Sequence, residues 1–450
     1  VSTDINIKQR ASECIAHGAL TNSKRPSCHI EGVYPTHIKS AHGCEVTDSD
    51  GKKYVDFICG LGTNVFGSNN ETINRVMIQA MGDGVIHSLP TTLEVRVAEK
   101  LLGVIPWCKR VRFLKTGSEA TAAAIRIART YTNRSLVLSE GYHSWHDDFV
   151  SLTPPAKGVP PRTWMDTLKN KRFLSSAAAV IVEPVMLDCS PERIKWLREL
   201  QADCKESGTL LIFDEVITGF RFPEVTFSKT HGFKPDLICL GKGMANGMPL
   251  ACVAGSKEIM ESDYFISSTY AGETVSLAAC SAVLDLIHKQ PLHNLWRIGT
   301  EFTEGFNSLW PEKISIAGYA TRGSFVGDAD VKNLFFQEAC IAGLLFGPSW
   351  FIGYSHEKHI KAALNTCSDI LMRIRQGAVK LKGKTPKSPY AERVRNGSSR
   401  TTSECEEVER DETRDHRSPG EVQPDVPSLP SVGEGDVRVP RRGQAEVRHP

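Results

Sequence analysis

Residues 177–215 read AAAVIVEPVMLDCSPERIKWLRELQADCKESGTLLIFDE, and the order of elements in this stretch sets the architecture. It opens on an apolar run, Ala178–Val182, with no polar position on either face. Such a run suits a strand buried on both sides in a mostly parallel sheet. Ser190 then stands as a helix N-cap with Pro191 at the first helical position, and Gly208 ends the helix. A second two-sided apolar run, Leu210–Phe213, follows and stops directly on Asp214. Strand, helix and strand in this order make one parallel crossover unit.

The same alternation continues outward. Apolar runs at Ser135–Ser139 and Leu237–Leu240 predict further buried strands. A helix is predicted from about Ser118, with Ala120, Ala124, Ile127, Ala128 and Tyr131 on one face. The alternation argues for an open α/β domain. Beyond about residue 290 the pattern changes. A helix from about Glu357, with Ile360, Leu364, Cys367, Leu371 and Ile374 as its apolar stripe, closes a smaller α+β region. The expected division is an N-terminal segment, 1–57, packing with a small domain at 290–385, and a large domain at 58–289. Residues 386–450 carry charge runs and prolines, with no aromatic residue after Tyr390. They bury too little apolar surface to offset ordering entropy and are expected to be disordered.

Composition narrows the function. The chain has 450 residues, and its net charge of +2 gives no general case for nucleic acid or an acidic membrane. Thirteen cysteines are scattered without a C-x-x-C pair, which favours reduced thiols over a disulfide framework or a zinc site. No apolar run reaches the roughly 20 residues of a spanning helix. A cytoplasmic enzyme acting on small molecules is the expectation.

Ligands of open α/β sheets gather at the carboxyl ends of the strands. Thr116, Gly117 and Ser118 sit where a strand runs into a helix, so free N–H groups and the helix dipole would meet an anion there. The same residues also read as an ordinary N-cap. Tyr142 could lie flat on a heteroaromatic ring. Near it, His143, His146 and Asp147 read as a solvated or hydrogen-bonded loop in preference to a metal site. Asp214 ends an apolar strand, where a carboxylate needs a cation: a protonated ring nitrogen, or Arg221 in an ion pair. Lys242, in Leu240-Gly241-Lys242-Gly243, ends another; a desolvated amine there can form a Schiff base with a carbonyl. Taken alone it also reads as a solvated loop lysine. A phosphate cradle, a ring-stacking aromatic, a carboxylate and an aldehyde-binding lysine together match pyridoxal 5'-phosphate part by part.

The chain resembles the class III pyridoxal-phosphate aminotransferases, and among them most closely glutamate-1-semialdehyde 2,1-aminomutase. The motifs are Thr116-Gly117-Ser118-Glu119-Ala120-Thr121, Ile181-Val182-Glu183-Pro184-Val185, Asp214-Glu215-Val216-Ile217-Thr218-Gly219-Phe220-Arg221, and Gly241-Lys242 with Gly247-Met248-Pro249. The resemblance covers about residues 20–375 and implies a fold type I transferase with a large, mostly parallel domain and a smaller α+β domain. It gives Lys242 the Schiff base and the proton shuttle, and Asp214 the pyridine nitrogen. Val216 and Tyr142 take the two ring faces, Gly117 and Ser118 the phosphate, and Glu183 the cofactor hydroxyl side. Thr269 would reach the phosphate of the neighbouring subunit, implying a homodimer. Ser23 and Arg25 lie in a segment that resembles the substrate-carboxylate segment, with the arginine spacing off by one.

The departures from the family pattern fall in parts that face substrate. Ser144 replaces the glycine of Tyr-His-Gly, and Gly272-Glu273-Thr274 stands for Gly-Asn-Pro. Ile352 replaces a glutamate, and the loop near 158–175 is short. Two enzymatic readings therefore stand: an intramolecular amino shift from glutamate-1-semialdehyde to 5-aminolevulinate or a related reaction, and an intermolecular amino transfer to a sugar or other carbonyl compound. A non-catalytic scaffold on this fold would dispense with Lys242 or Asp214, and both are present.

Overall fold

A computed structural model describes residues 3–152, 157–160 and 165–386. The expected disordered tail lies, from 387 onward, outside the described residues. At the centre is a seven-stranded sheet. In spatial order it holds Arg110–Leu114, Ala251–Gly255, Leu237–Leu240, Leu210–Glu215, Ala177–Val182, Leu136–Glu140 and Met165–Thr167. Ala251–Gly255 runs antiparallel to both its neighbours, and the other pairings are parallel. Every residue of Ala177–Val182, Leu210–Glu215 and Leu237–Leu240 is buried, as two-sided apolar runs require. Full burial of each large aliphatic side chain contributes about 1.5–3 kcal/mol.

The helices cover both faces, and their ends follow the chemistry of their caps. Pro191–Ser207 starts from Ser190, whose hydroxyl accepts from the Arg193 N–H at 3.2 Å, and stops at left-handed Gly208. Gly117–Thr132 buries Ala120, Ala124, Ile127 and Ala128; Tyr131 instead stays partly exposed and donates from its hydroxyl to Glu258 at 2.7 Å.

Two smaller sheets flank the large one. The first comprises Ile38–His42, Glu45–Asp48, Lys53–Asp56 and Leu344–Leu345, so a meander early in the chain is completed by a strand from near its end. The second is antiparallel: Ile314–Tyr319, Arg322–Gly327 and Ser349–Phe351. Helix Ile360–Arg375 buries Ile360, Cys367, Leu371 and Ile374 in the same hydrophobic core as Ile314, Ile316 and Phe325 of that sheet. Among the described residues no helix is long and apolar enough to cross a membrane.

Register decides what the sheet presents at its edge. Glu140 pairs with Val182, Val182 with Phe213, and Asp214 with Cys239. Four neighbouring parallel strands therefore end side by side. Their next residues are Gly141-Tyr142-His143, Glu183, Asp214 itself, and Gly241-Lys242. The Arg110–Leu114 strand, one place beyond the antiparallel strand, ends at the same edge and leads to Thr116.

Candidate active site

Lys242 begins a short helical turn, Lys242–Ala245, directly after its buried strand. Its φ of 43° is left-handed, a conformation that costs energy in a residue with a Cβ and concentrates at functional turns. Burial lowers its amine from 10.5 to about 8; Asp214 and Glu183 oppose the shift, and Arg322 and Arg221 reinforce it. An amine near 8 is neutral often enough at ordinary pH to attack a carbonyl.

Asp214 is buried and fixed by two bonds. Its Oδ1 accepts from the Val216 N–H at 3.0 Å, and its Oδ2 lies 2.8 Å from His143 Nδ1. An ionised carboxylate can only accept, so that bond places the proton on Nδ1. His143 Nε2 faces the Glu140 carbonyl at 3.1 Å, so the ring is held from both sides. The sequence reading left His143 in a loop. It is buried and orients the carboxylate. Its position two residues before Trp145 carries no such signal; only the fold brings it against Asp214.

Arg221 does not pair with Asp214. It is fully buried and donates to the carbonyls of Gly62 (2.7 Å from Nη2), Ile352 (2.9 Å) and Thr321 (3.3 Å). One guanidinium thus ties the segment at Gly62 to the hairpin turn at Thr321 and to Ile352, which follows strand Ser349–Phe351.

Thr116 caps helix Gly117–Thr132 in a complete capping box with Glu119. Its hydroxyl accepts from the Glu119 N–H at 3.1 Å, and Glu119 Oε2 accepts from the N–H groups of Lys115 and Thr116. The N–H groups of Gly117 and Ser118 take no part in this box. They sit at the positive end of a sixteen-residue helix, where a phosphate fits. A Cβ on Gly117 would stand 2.8 Å from Val216 Cγ1, so the cradle and the ring-face residue are in direct packing contact.

Glu183 is buried, and its Oε1 accepts from the Tyr142 N–H at 2.9 Å. The Tyr142 side chain is about half exposed. Thr269 lies in an exposed turn. Ser23 and Arg25 lie on short turns near the N-terminus; among the described hydrogen bonds and ion pairs, none joins them to Lys242, Asp214 or Glu183. Ile352 is buried, and Ser144 accepts from the His146 N–H at 2.7 Å. Glu273 caps helix Thr274–Lys289 and forms a mostly buried ion pair with Lys115 at 2.8 Å.

The donor set fits pyridoxal phosphate: a lysine with a lowered pKa, a fixed buried carboxylate on a strand three places from the one that leads into the helix cradle, and a cradle with two N–H groups outside its cap. When bound, that cofactor supplies an electron sink for carbanion chemistry. Gly117 and Ser118 would hold its phosphate, Asp214 would face its ring nitrogen, and Lys242 Nζ would carry a proton.

Comparison with known proteins agrees. The model of the family "Aminotransferase class-III" matches residues 29–160 and 162–349. A glutamate-1-semialdehyde 2,1-aminomutase of Methanococcoides burtonii is 29% identical over 396 residues, covering 78% of this chain and 93% of the relative. One from Methylacidiphilum infernorum is 32% identical over 319 residues, 64% of this chain and 74% of the relative. Among solved structures, the FumI protein of Sphingopyxis sp. MTA144 superposes with a TM-score of 0.78 at 22% identity, covering 85% of this chain and 98% of that one. An omega-transaminase from Sphaerobacter thermophilus gives 0.75 at 21% identity, with 83% and 98% covered. With the family match spanning most of the described residues and the cofactor's donor set in place at the sheet edge, the chain belongs to the class III aminotransferases, enzymes whose cofactor is pyridoxal phosphate.

Proposed function

We propose that this enzyme catalyses an amino shift of the kind performed by its aminomutase relatives, converting glutamate-1-semialdehyde, or a compound close to it, to the isomeric amino ketone. The observation that carries the chemistry is the alignment of Lys242 beside Asp214, itself held by His143. The names of the curated relatives support the substrate. In this reading Lys242 moves the proton between the two substrate carbons, Asp214 holds the charge of the ring nitrogen, and Val216 and Tyr142 sandwich the ring. Gly117 and Ser118 hold the phosphate.

A second reading, transfer of the amino group to a separate carbonyl acceptor, draws support from two positions that depart from the aminomutase pattern. Ile352 is a buried aliphatic residue where that pattern has a glutamate, and Glu273 is committed to Lys115 and to a helix cap. Both readings place the site at a homodimer interface, with Thr269 reaching the partner's phosphate. Ile78, Met81, Leu89, Phe265 and Tyr270 are large apolar side chains left exposed around that turn and the preceding helices, which supports a second copy covering them.

The test is the visible spectrum of the purified holoenzyme on addition of glutamate-1-semialdehyde alone. Loss of the lysine-bound cofactor band with 5-aminolevulinate formed would establish the amino shift. A response that needs a separate amino donor and a carbonyl acceptor would establish the second reading. Absence of any cofactor band after pyridoxal phosphate is supplied would refute both.

A further inference from the structure

Arg322 opens the second strand of the Ile314–Tyr319/Arg322–Gly327 hairpin and pairs with Tyr319 across a two-residue turn. The turn is clamped. The Thr321 hydroxyl donates to the Arg221 carbonyl at 3.2 Å, and its own carbonyl accepts from Arg221 Nη1. The Arg322 side chain is 13% exposed, and Nε and Nη1 are buried without a hydrogen-bond partner. The Tyr319 hydroxyl beside it is likewise buried, and burial raises its pKa while the neighbouring Arg322 guanidinium opposes the rise. Glu183 balances the charge from 3.7 Å, beyond hydrogen-bond length, while its other oxygen serves the Tyr142 N–H. Arg322 is also close enough to Lys242 to influence its charge. Buried guanidinium donors without acceptors are costly and are ordinarily satisfied by an oxyanion.

We propose that Arg322, with the Tyr319 hydroxyl, is a specificity-determining subsite for an anionic group, carboxylate or phosphate, on the substrate of this enzyme. The inference rests on the amino-transfer reading above and narrows its substrates to acidic carbonyl compounds and their amines. Arg221 serves as a positioning residue, holding the hairpin tip so that Arg322 stays over the site.

Matched aldehydes test it. Holoenzyme loaded with the amine form of the cofactor is mixed with succinate semialdehyde or glycolaldehyde phosphate, and with neutral butanal or glycolaldehyde. The return of the visible band gives each rate. Charge-assisted bonds to a desolvated oxyanion predict a preference on the order of 10–100-fold in kcat/KM for the anionic member of each pair. The larger preference identifies carboxylate or phosphate as the native group. Arg322→Gln should erase that preference, slowing the anionic member of each pair at least about tenfold more than its neutral partner. Arg322→Lys should keep part of it. Calorimetry with succinate and with inorganic phosphate gives a readout independent of turnover: one of them binds the wild type, and Arg322→Gln loses it. Equal rates for anionic and neutral aldehydes on the wild type would overturn the proposal, as would an Arg322→Gln protein equally slowed toward both. If no aldehyde of either kind reacts while the anion still binds in an Arg322-dependent way, the amino-transfer reading fails and the subsite stands.

Discussion

Gly117→Ala is the sharpest probe of the proposed cofactor cradle, because its effect follows from one close packing contact. Gly117 has an ordinary φ, so an alanine meets no backbone strain, and at a helix start it has the better propensity. The penalty is steric. The new Cβ would lie 2.8 Å from Val216 Cγ1, 3.1 Å from Cγ2 and 3.5 Å from Cβ. Carbon atoms prefer about 3.5–4.0 Å, so Val216 or the helix start must retreat by about 0.7 Å or more. Overpacking of this kind costs about 1–3 kcal/mol. In the proposed site Val216 forms one wall of the ring site and the Gly117 N–H one wall of the phosphate site, so the retreat would separate two groups that grip one ligand. The expected result is a loss of pyridoxal phosphate affinity of about 10–100-fold with a smaller fall in apoprotein stability. Cofactor titration followed by absorbance, beside urea unfolding of the apoprotein, measures both. Val216→Ala in the same chain removes both γ-methyls and should recover much of the loss, giving a coupling between the two sites. Wild-type affinity in Gly117→Ala, or additive effects in the double variant, would refute the argument that the cradle is shaped by this packing.

Other outcomes follow from the same geometry. Lys242→Ala should abolish the lysine-bound cofactor band and turnover while leaving the circular dichroism of the fold intact. Burial lowers the Lys242 amine from 10.5 to about 8, so between these values the unfolded chain holds more protons than the folded apoprotein. Its stability therefore gains with rising pH across that window, and the full cost of charging the amine applies below it. In urea unfolding from pH 7.5 to 10.5 the stability advantage of Lys242→Met over wild type should narrow. His143→Ala leaves Asp214 with the Val216 N–H as its remaining bond, and kcat should fall about 10–100-fold with the cofactor still bound. Arg221→Leu takes the guanidinium donors from the buried Gly62 and Ile352 carbonyls and one of two donors from that of Thr321, and should cost about 3–5 kcal/mol, read as a large drop in melting temperature of the apoprotein.

The sequence makes the large sheet legible because its central strands are fully buried. A two-sided apolar run such as Leu210–Phe213 has few other fates, and the helix between it and Ala177–Val182 announces both ends through Ser190, Pro191 and Gly208. Lys242 and Asp214 stand out for the same reason. A charge that directly ends such a run must be desolvated, and desolvation without function is costly. What the sequence does not carry is any contact made across the fold. His143 reads as a loop histidine because its partner lies 71 residues away. Arg221 reads as a partner for Asp214 because the two are neighbours in sequence. The structure instead spends its donors on carbonyls at positions 62, 321 and 352.

The same reasoning explains why cofactor chemistry is readable here and substrate choice is not. The cofactor's groups meet strand ends whose places are set by the parallel register, so each residue follows a local signal. In the proposed site substrate would meet groups gathered from separate supersecondary units, the hairpin tip with Tyr319 and Arg322 among them. That tip is held to the loop containing Gly62 and to the segment around Ile352 by strand pairing of Arg322 with Phe351 and by one fully buried guanidinium that bonds the carbonyls of Gly62, Thr321 and Ile352. A sequence change at Arg221 would therefore alter substrate recognition without touching substrate. Arg221→Lys separates this role from stability. A lysine keeps the charge but lacks the planar spread of donors needed to reach three carbonyls at once. In that variant KM for the anionic substrate should rise by about tenfold or more while the cofactor band and its Lys242 linkage persist. An unchanged KM in a folded Arg221→Lys enzyme would show that the hairpin tip holds its place without this clamp.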